Sequence, residues 1–246
     1  MKLTIIGYWG AYPGKNEGTS AYLLEGENTK ILLDCGSGAV ARLQNHINLA
    51  TLDAVVLSHY HHDHVADIGV LQYSRVVDMN LKGTTEPLHI YAHKDDLMEF
   101  NRLGKKPYAE VFSYNSNGPL SIGPFTFSFQ KTNHPVPCYA MKITDGSKSF
   151  VYTADTTYDE ALIPFIQGSD LLITETSFYE DQEAKTYGHM NSKEAGTLAE
   201  KSDVQHLILS HLPHFGSHNQ LVEEAKKYFS GNIQLAASDL VWPKEN

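Results

Sequence analysis

Leu57 to His64 read LSHYHHDH, a run of metal-ligand side chains that begins where an apolar strand signal ends. The stretch holds four of the 13 histidines of the chain. Imidazole nitrogens and carboxylate oxygens are ligands that zinc and related divalent ions accept. Because side-chain direction repeats every two residues in an extended segment, His59 and His61 are expected to point to the same side. The stretch therefore predicts a metal site.

The residues on either side of this stretch indicate how the other ligands reach the same space. The apolar run Ala54–Leu57 predicts a buried strand that leads into it. An amphipathic segment begins at Val65, and the turn into this helix is expected to bring Asp63 and His64 back toward His59. A surface loop with histidines present by chance is the competing interpretation. The spacing H-x-H-x-D-H after a buried strand disfavours it.

Short apolar runs rich in Ile, Leu, Val and aromatic residues predict further strands. These runs are Leu3–Gly7, Ala21–Leu24, Ile31–Asp34, Leu88–Ala92, Phe125–Phe129, Leu171–Thr174 and His206–Ser210. Asp145-Gly146, between two apolar alternating runs, predicts a hairpin.

Helical spacing occurs in four segments, Val65–Met79, Asp95–Leu103, Asp159–Gln167 and Asn219–Phe229. Asn191, with Glu194 three residues later, predicts the capped start of another helix. This mixture of elements predicts a layered α/β protein with mixed sheets, organised as a single domain over residues 1–246.

The composition limits the class of partner and the compartment. A formal net charge of −10 argues against a nonspecific nucleic-acid coat. Cys35 and Cys138 lie far apart without a C-x-x-C pair, which fits a reducing compartment. The first apolar run is too short for a secretory signal, and no apolar run reaches about 18 residues. We therefore expect a cytoplasmic protein that does not associate with membranes.

The spacing H-x-H-x-D-H resembles the hallmark of the metallo-β-lactamase superfamily. Three later residues, each at the end of an apolar run, stand in the order of the family's remaining ligands: His134, Asp155 and His211. The resemblance implies an α/β fold, a four-layer αββα sandwich of two mixed β-sheets. It also implies two Zn²⁺ ions, with Mn²⁺ or Fe as alternatives.

The resemblance assigns every ligand to a metal. One metal would be held by His59, His61 and His134. The other would be held by Asp63, His64 and His211, with Asp155 shared. Zinc lowers the pKa of bound water from 15.7 to roughly 7, so the implied chemistry is hydrolysis by a metal-bridging hydroxide.

Two further segments resemble the phosphodiesterase branch that includes the tRNA 3′-processing endonucleases of the ribonuclease Z type. They are ITETSF, which contains Glu175, and YGHMNSKEAG, which contains His189. The resemblance implies that His189 is the general acid and Glu175 its orienting partner. Asp63 would also handle the proton of the nucleophilic water. The competing interpretation places Glu175 at a strand end on the surface and His189 in a loop.

The amino-terminal loop, GYWGAYPGKNEGTSAYLL, resembles the same branch but offers Lys15 where the branch typically has an arginine. The chain also lacks the basic arm that ribonuclease Z usually inserts between His134 and Asp155. With three arginines and a net charge of −10, a clamp for a whole tRNA is hard to assemble. We therefore expect a small phosphodiester or short nucleic acid as the substrate rather than a full tRNA. The resemblance also allows a homodimer.

Two other functions stay open at this point. One is a lactone, thioester or β-lactam hydrolase of the same fold, which would not depend on His189. The other is a non-catalytic metal-binding carrier, against which the complete ligand set argues. Within the motif, His62 is expected to point away from His61 and need not bind metal.

Overall fold

The computed structural model describes residues 1–81 and 83–243. These residues form two units: one comprises residues 1–115 and the C-terminal segment from Ala237, and the other comprises residues 116–236. Each unit is built around one mixed seven-stranded sheet. None of the helices in the described ranges is long and apolar enough to cross a membrane.

The sheet of the first unit begins with an antiparallel meander and continues as parallel strands. Its first six strands are β1 Lys2–Gly7, β2 Ala21–Gly26, β3 Thr29–Leu33, β4 Ala54–Val56, β5 Leu88–His93 and β6 Ala109–Tyr114. The pairs β1–β2 and β2–β3 are antiparallel, whereas β3 to β6 pair in parallel.

Four helices accompany this sheet: α1 Ala39–Leu43, α2 His62–Val65, α3 Ile68–Leu81 and α4 Leu97–Arg102. A 3₁₀ turn covers Leu49–Thr51. Leu43 of α1 and Leu71 of α3 belong to the same buried cluster as Leu32 and Val55 of the sheet. Because α1 and α3 are buried against the sheet, the segment that precedes α3 is held in place. That segment carries the histidine motif.

The second unit has the sheet order β13-β12-β11-β10-β9-β8-β7. These strands are β7 Leu120–Ile122, β8 Phe125–Lys131, β9 Tyr139–Thr144, β10 Ser149–Tyr152, β11 Leu171–Glu175, β12 His206–Ser210 and β13 Asn232–Leu235. The strands β7 to β10 pair antiparallel, and β10 to β13 pair in parallel. The last strand of the chain, β14 Val241–Trp242, pairs with β1 in the first unit.

The helices of the second unit are α5 Ile163–Ile166, α6 Ser192–Lys201 and α7 His218–Ala225. Two 3₁₀ turns cover Glu160–Leu162 and Lys185–Tyr187. Gly196 of α6 lies directly over α7, since a Cβ at this position would stand 2.6 Å from the Ala225 carbonyl oxygen. The two helices approach so closely because Gly196 has no side chain.

The expectation of an α/β protein with two mixed sheets is confirmed. The Asp145-Gly146 hairpin is also confirmed, because β9 and β10 pair antiparallel on either side of it. The helix expected over Asp159–Gln167 is instead a 3₁₀ turn followed by the short α5. Pro164 stands in the first turn of α5, where its missing N–H costs nothing, so a new helix begins there.

The start of α6 provides a test of the fold. Asn191 accepts a hydrogen bond from the Glu194 N–H, and the Glu194 side chain accepts one from the Asn191 N–H, which completes the predicted capping box. Asn191→Ala should therefore lower the free energy of unfolding by about 1 kcal/mol and the Tm by roughly 2–4 °C. Thermal denaturation followed by circular dichroism measures this change.

The control is Asn219→Ala, which changes an exposed asparagine that does not cap its helix, α7. It should shift stability by less than about 0.5 kcal/mol. Equal losses in the two variants would contradict the role of the capping box.

Candidate metal centre

The first unit gathers four residues of the histidine motif after β4. His59 and His64 are fully buried, and their ring centroids lie 4.1 Å apart. The ring of His61 meets that of His59 edge-on at 4.8 Å. Asp63 places Oδ2 3.8 Å from Nε2 of His64. His62 is exposed, as expected for a residue that points away from the cluster.

The turn predicted within the motif is present. His61 has an extended backbone and occupies the N-cap position of α2, which begins at the next residue. Helical geometry then returns Asp63 and His64 toward the side occupied by His59. Side chains from an extended segment and from a helical turn thus meet in one place.

A buried carboxylate, Asp34, orients two of these histidines. It follows β3 and accepts a hydrogen bond from His64 Nδ1 at 2.7 Å. The Ser58 hydroxyl donates to the same carboxylate at 2.8 Å and lies 3.0 Å from Nδ1 of His59. Asp34 therefore holds His64 directly and His59 through Ser58. Asp34 is not among the functional residues predicted from the sequence, although it closes an apolar run as the proposed ligands do.

The amino-terminal loop supports Asp63. The Ala11 N–H donates to Oδ2 of Asp63 at 2.8 Å. Arg42 holds this loop at two points, since its guanidinium donates to the backbone oxygens of Ile6, just before the loop, at 3.0 Å and of Asn16, within it, at 2.8 Å. One of the three arginines of the chain is thus hydrogen-bonded to the loop backbone.

The second unit gathers the other predicted ligands around Asp155, which is 2% exposed. Its Oδ2 lies 3.8 Å from Nε2 of His134, and its Oδ1 lies 3.5 Å from Nε2 of His211. Each carboxylate oxygen therefore faces a different histidine. Possible ligand atoms of Asp155, His189 and His211 all lie within 4.8 Å of one another.

The second unit contains a counterpart of the Asp34 arrangement. Glu175 ends β11, is 1% exposed, and contacts His189 Nδ1 at 2.9 Å through Oε1. The Ser177 hydroxyl donates to Glu175 Oε2 at 3.0 Å and lies 2.8 Å from Nδ1 of His211. Glu175 thus holds His189 directly and His211 through Ser177. The contact between Glu175 and His189 is predicted from the sequence, whereas the role of Ser177 is not.

His134 is oriented by a backbone group. Its Nδ1 donates to the Gly188 carbonyl oxygen at 2.9 Å. Gly188 has φ +82°, and a Cβ there would lie 2.3 Å from Cδ of Pro135 and 2.9 Å from Nδ1 of His134. Glycine is required because the chain passes so close to His134 in a left-handed conformation.

The backbone turns sharply where polar side chains of the site leave the sheets. Three residues other than glycine adopt positive φ just after the strands that lead into the candidate site: Asp34 at 54°, Ala154 at 51° and His211 at 51°. Such conformations cost about 1–3 kcal/mol each and cluster at functional sites. Strain at three strand ends in the candidate site supports a functional origin for the arrangement.

The donor chemistry fits divalent cations. His59, His64, His134 and His211 all engage Nδ1 with a second group, which orients Nε2 as the coordinating atom. Separations of 3.5–3.8 Å between Nε2 and carboxylate oxygens exceed hydrogen-bond length. They approach the roughly 3.4 Å that separates neighbouring ligands when metal–ligand distances are about 2.0–2.2 Å in a tetrahedron. The two oxygens of Asp155 face different histidines, as a carboxylate shared by two cations would.

Each unit thus brings its predicted site residues together. The assignment of the two sets to two shared cations stays a prediction.

The two cysteine thiols are not among the proposed ligands. Burial, then Asp67 and Asp34, raises the pKa of Cys35 well above its usual value, which keeps the thiol protonated. Cys138 is also fully buried.

Comparison with known proteins gives three findings. The model of the Beta-lactamase superfamily domain matches residues 29–212. The Probable metallo-hydrolase YhfI of Bacillus subtilis is 48% identical over 242 residues, which cover 98% of this chain and 99% of that protein. A Ribonuclease Z of Sulfolobus acidocaldarius is 27% identical over 283 residues, covering 93% of this chain and 94% of the relative.

Solved structures agree on the architecture. The crystal structure of the metallo-beta-lactamase fold protein YhfI from Bacillus subtilis has a TM-score of 0.96, with 48% identity and 98% of both chains covered. Human tRNase Z, short form, has a TM-score of 0.75 at 19% identity, again over 98% of both chains. The expected α/β metallo-β-lactamase fold is confirmed.

Gly188 provides a test of how the ligands are oriented. Gly188→Ala should displace the carbonyl that holds His134 and lower the apparent affinity for zinc about 10- to 100-fold. Titration against a competing chelator measures this affinity.

Gly146→Ala is the matched control. Gly146 has φ +86°, similar to that of Gly188, but a Cβ there would have nothing within 4 Å. Both variants should lose stability because of the strained φ, and only Gly188→Ala should bind zinc more weakly. Unchanged zinc affinity in Gly188→Ala would show that this carbonyl does not orient a ligand.

Proposed function

The chain belongs to the β-lactamase superfamily as a metallo-hydrolase, and on that premise we propose that it is a dinuclear zinc-dependent phosphodiesterase. The pairing of Glu175 with His189 carries the proposal. The ring of His189 stacks on His211 at 5.3 Å and lies 5.5 Å from that of His134. A histidine beside the proposed ligands, held at Nδ1 by a buried carboxylate, is suited to protonate a leaving oxygen through Nε2.

In this proposal His59, His61 and His134 hold one cation, Asp63, His64 and His211 hold the other, and Asp155 is shared. The separate contacts of Asp155 with His134 and His211 support the shared role. When bound, the cations would supply hydroxide near neutral pH and polarise the phosphoryl group. Zinc is proposed as the native metal, with Mn²⁺ or Fe as alternatives.

The protein side chains then handle protons. Asp63, fixed by the Ala11 N–H, accepts the proton of the nucleophilic water. His189 donates a proton to the leaving oxygen, and Glu175 stabilises the imidazolium form from which that proton comes. The Thr156 N–H donates to the same oxygen of Glu175 at 3.2 Å and helps to fix this carboxylate.

The proposed substrate is a small phosphodiester or a short nucleic acid. Relatives named ribonuclease Z support the phosphodiester class. Between His134 and Asp155, a segment that the structure describes throughout, the regular structure is the β9–β10 hairpin, and the net charge of the chain is −10. These features favour a substrate smaller than tRNA. A cytoplasmic location and a homodimer also belong to the proposal.

Hydrolysis of bis(p-nitrophenyl) phosphate tests the metal dependence. His61→Ala should reduce kcat/KM by more than about 100-fold, because loss of a ligand should exceed the effect of losing a group that only orients one. Removal of metal by a chelator should abolish turnover, and added zinc should restore it. His62→Ala changes an exposed histidine of the same motif and should retain activity. Turnover that survives chelation, or survives His61→Ala, would refute the proposed mechanism.

The role of His189 is tested by changing the leaving group. His189→Ala should lower kcat/KM about 10²- to 10⁴-fold for a dinucleoside monophosphate, whose leaving oxygen needs a proton. The loss should be much smaller for bis(p-nitrophenyl) phosphate, because p-nitrophenolate leaves without protonation. Glu175→Gln should show the same pattern more weakly. Glu183→Gln, which changes an exposed carboxylate, serves as the control.

Two alternatives predict other results. A lactone, thioester or β-lactam hydrolase would turn over its carbonyl substrate at a full rate in His189→Ala and would not cleave phosphodiesters. A non-catalytic carrier would bind zinc fully and turn over no ester in a broad panel.

A further inference from the structure

An exposed aromatic cluster lies beside His189 in the second unit. We call it the aromatic wall; it consists of Phe178, Tyr187 and Phe215. Tyr187 is 62% exposed and Phe215 is 47% exposed, whereas Phe178 is less exposed than either and contacts both. The Phe178 ring centroid is 6.3 Å from that of His189. The proposed proton donor therefore borders an aromatic surface that water can reach.

The geometry of the wall suits a planar ligand. Phe178 and Tyr187 stack at 5.5 Å with their planes 18° apart. Phe215 meets Phe178 edge-on at 6.5 Å. Parallel rings with an exposed outer member can extend by one more ring, since aromatic groups prefer offset-stacked and edge-to-face contacts.

The wall is fixed by backbone contacts. The Tyr179 hydroxyl donates to the Phe215 carbonyl oxygen at 2.8 Å. Gly216 has φ +74°, and a Cβ there would lie 2.3 Å from the oxygen of that hydroxyl, so the approach requires glycine. Tyr187 ends a 3₁₀ turn, and the next residue, Gly188, adopts φ +82°. Exposed rings on such fixed turns lose little conformational freedom when a ligand stacks on them.

We propose that the aromatic wall binds a nucleobase attached to the leaving side of the phosphodiester. This proposal rests on the proposed function, because His189 marks where the leaving oxygen lies. Stacking on aromatic side chains accepts any of the bases, since every base has a π face. The wall thus assigns the substrate to the nucleotide class, with little selectivity among bases, and leaves alkyl phosphodiesters as poor substrates.

The test compares two ligands that share a phosphate and differ in the base. Isothermal titration calorimetry of the zinc-loaded protein measures the Kd of adenosine 5′-monophosphate and of ribose 5-phosphate, in which the single ester oxygen stands in for the leaving oxygen. The nucleotide should bind roughly tenfold tighter or more. Tyr187→Ala should remove most of this preference while leaving the Kd of ribose 5-phosphate unchanged, and Tyr187→Phe should retain it. Phe215→Ala should weaken the preference as well.

Tyr73→Ala is the control, since Tyr73 is a 63% exposed tyrosine on α3 in the other unit. It should leave both Kd values unchanged. Equal binding of the two ligands to the unaltered protein would overturn the proposal. An equal loss of both ligands in Tyr187→Ala would also overturn it, because that result would indicate displacement of Gly188 and His134 rather than loss of stacking.

Kinetics separate this proposal from the proposed function. With a dinucleoside monophosphate, Tyr187→Ala should raise KM and leave kcat nearly unchanged. A base preference in binding without turnover of any phosphodiester would support base binding by the aromatic wall and refute the proposed phosphodiesterase function. Phosphodiester turnover without a base preference would refute only the proposal that the aromatic wall binds a base.

Discussion

The site depends on a carboxylate buried at the end of a strand, which holds a histidine through Nδ1. In the first unit Asp34 does this for His64, and in the second unit Glu175 does it for His189. An ionised carboxylate in such a place is costly unless it accepts several hydrogen bonds. Asp34 receives them from the Ser58 N–H at 2.7 Å and the Ser58 hydroxyl at 2.8 Å as well as from His64. The orientation of the imidazoles is thus part of how the fold supplies its buried carboxylates with hydrogen-bond partners.

The two units use the same hydrogen-bond arrangement for different proposed roles. In each, a serine hydroxyl extends the reach of the carboxylate to a second histidine, which is His59 in one unit and His211 in the other. The histidine held directly is a proposed ligand in the first unit and a proposed acid in the second. A shared hydrogen-bond pattern therefore does not determine whether an imidazole binds a cation or moves a proton. That difference depends on which other ligands surround Nε2.

Much of the architecture could be predicted from the sequence because buried strands and helix caps leave strong local patterns. The strands that were missed, β6, β7, β13 and β14, all lie at sheet edges. These edge strands are partly exposed, and three of them have four residues or fewer, so they lack a continuous apolar run. In the site, the spaced histidines and Asp155 could be found by pattern and order. Ser58 and the Gly188 carbonyl could not, because a serine or a backbone oxygen gains its role only from the tertiary contact.

Tyr187, Gly188 and His189 place three proposed tasks on consecutive residues: an aromatic surface, a carbonyl that orients His134, and a proton donor. Gly188 lacks room for any side chain, so this backbone has little freedom to adapt. Natural variation or directed evolution that reshapes the base-binding side must therefore preserve the path of the same three residues. New substrate preferences would then arise more readily by exchange of the exposed Phe215 side chain, because its backbone carbonyl accepts from Tyr179 rather than from a proposed ligand. The backbone path of these three residues would therefore stay constant while other parts of the site change.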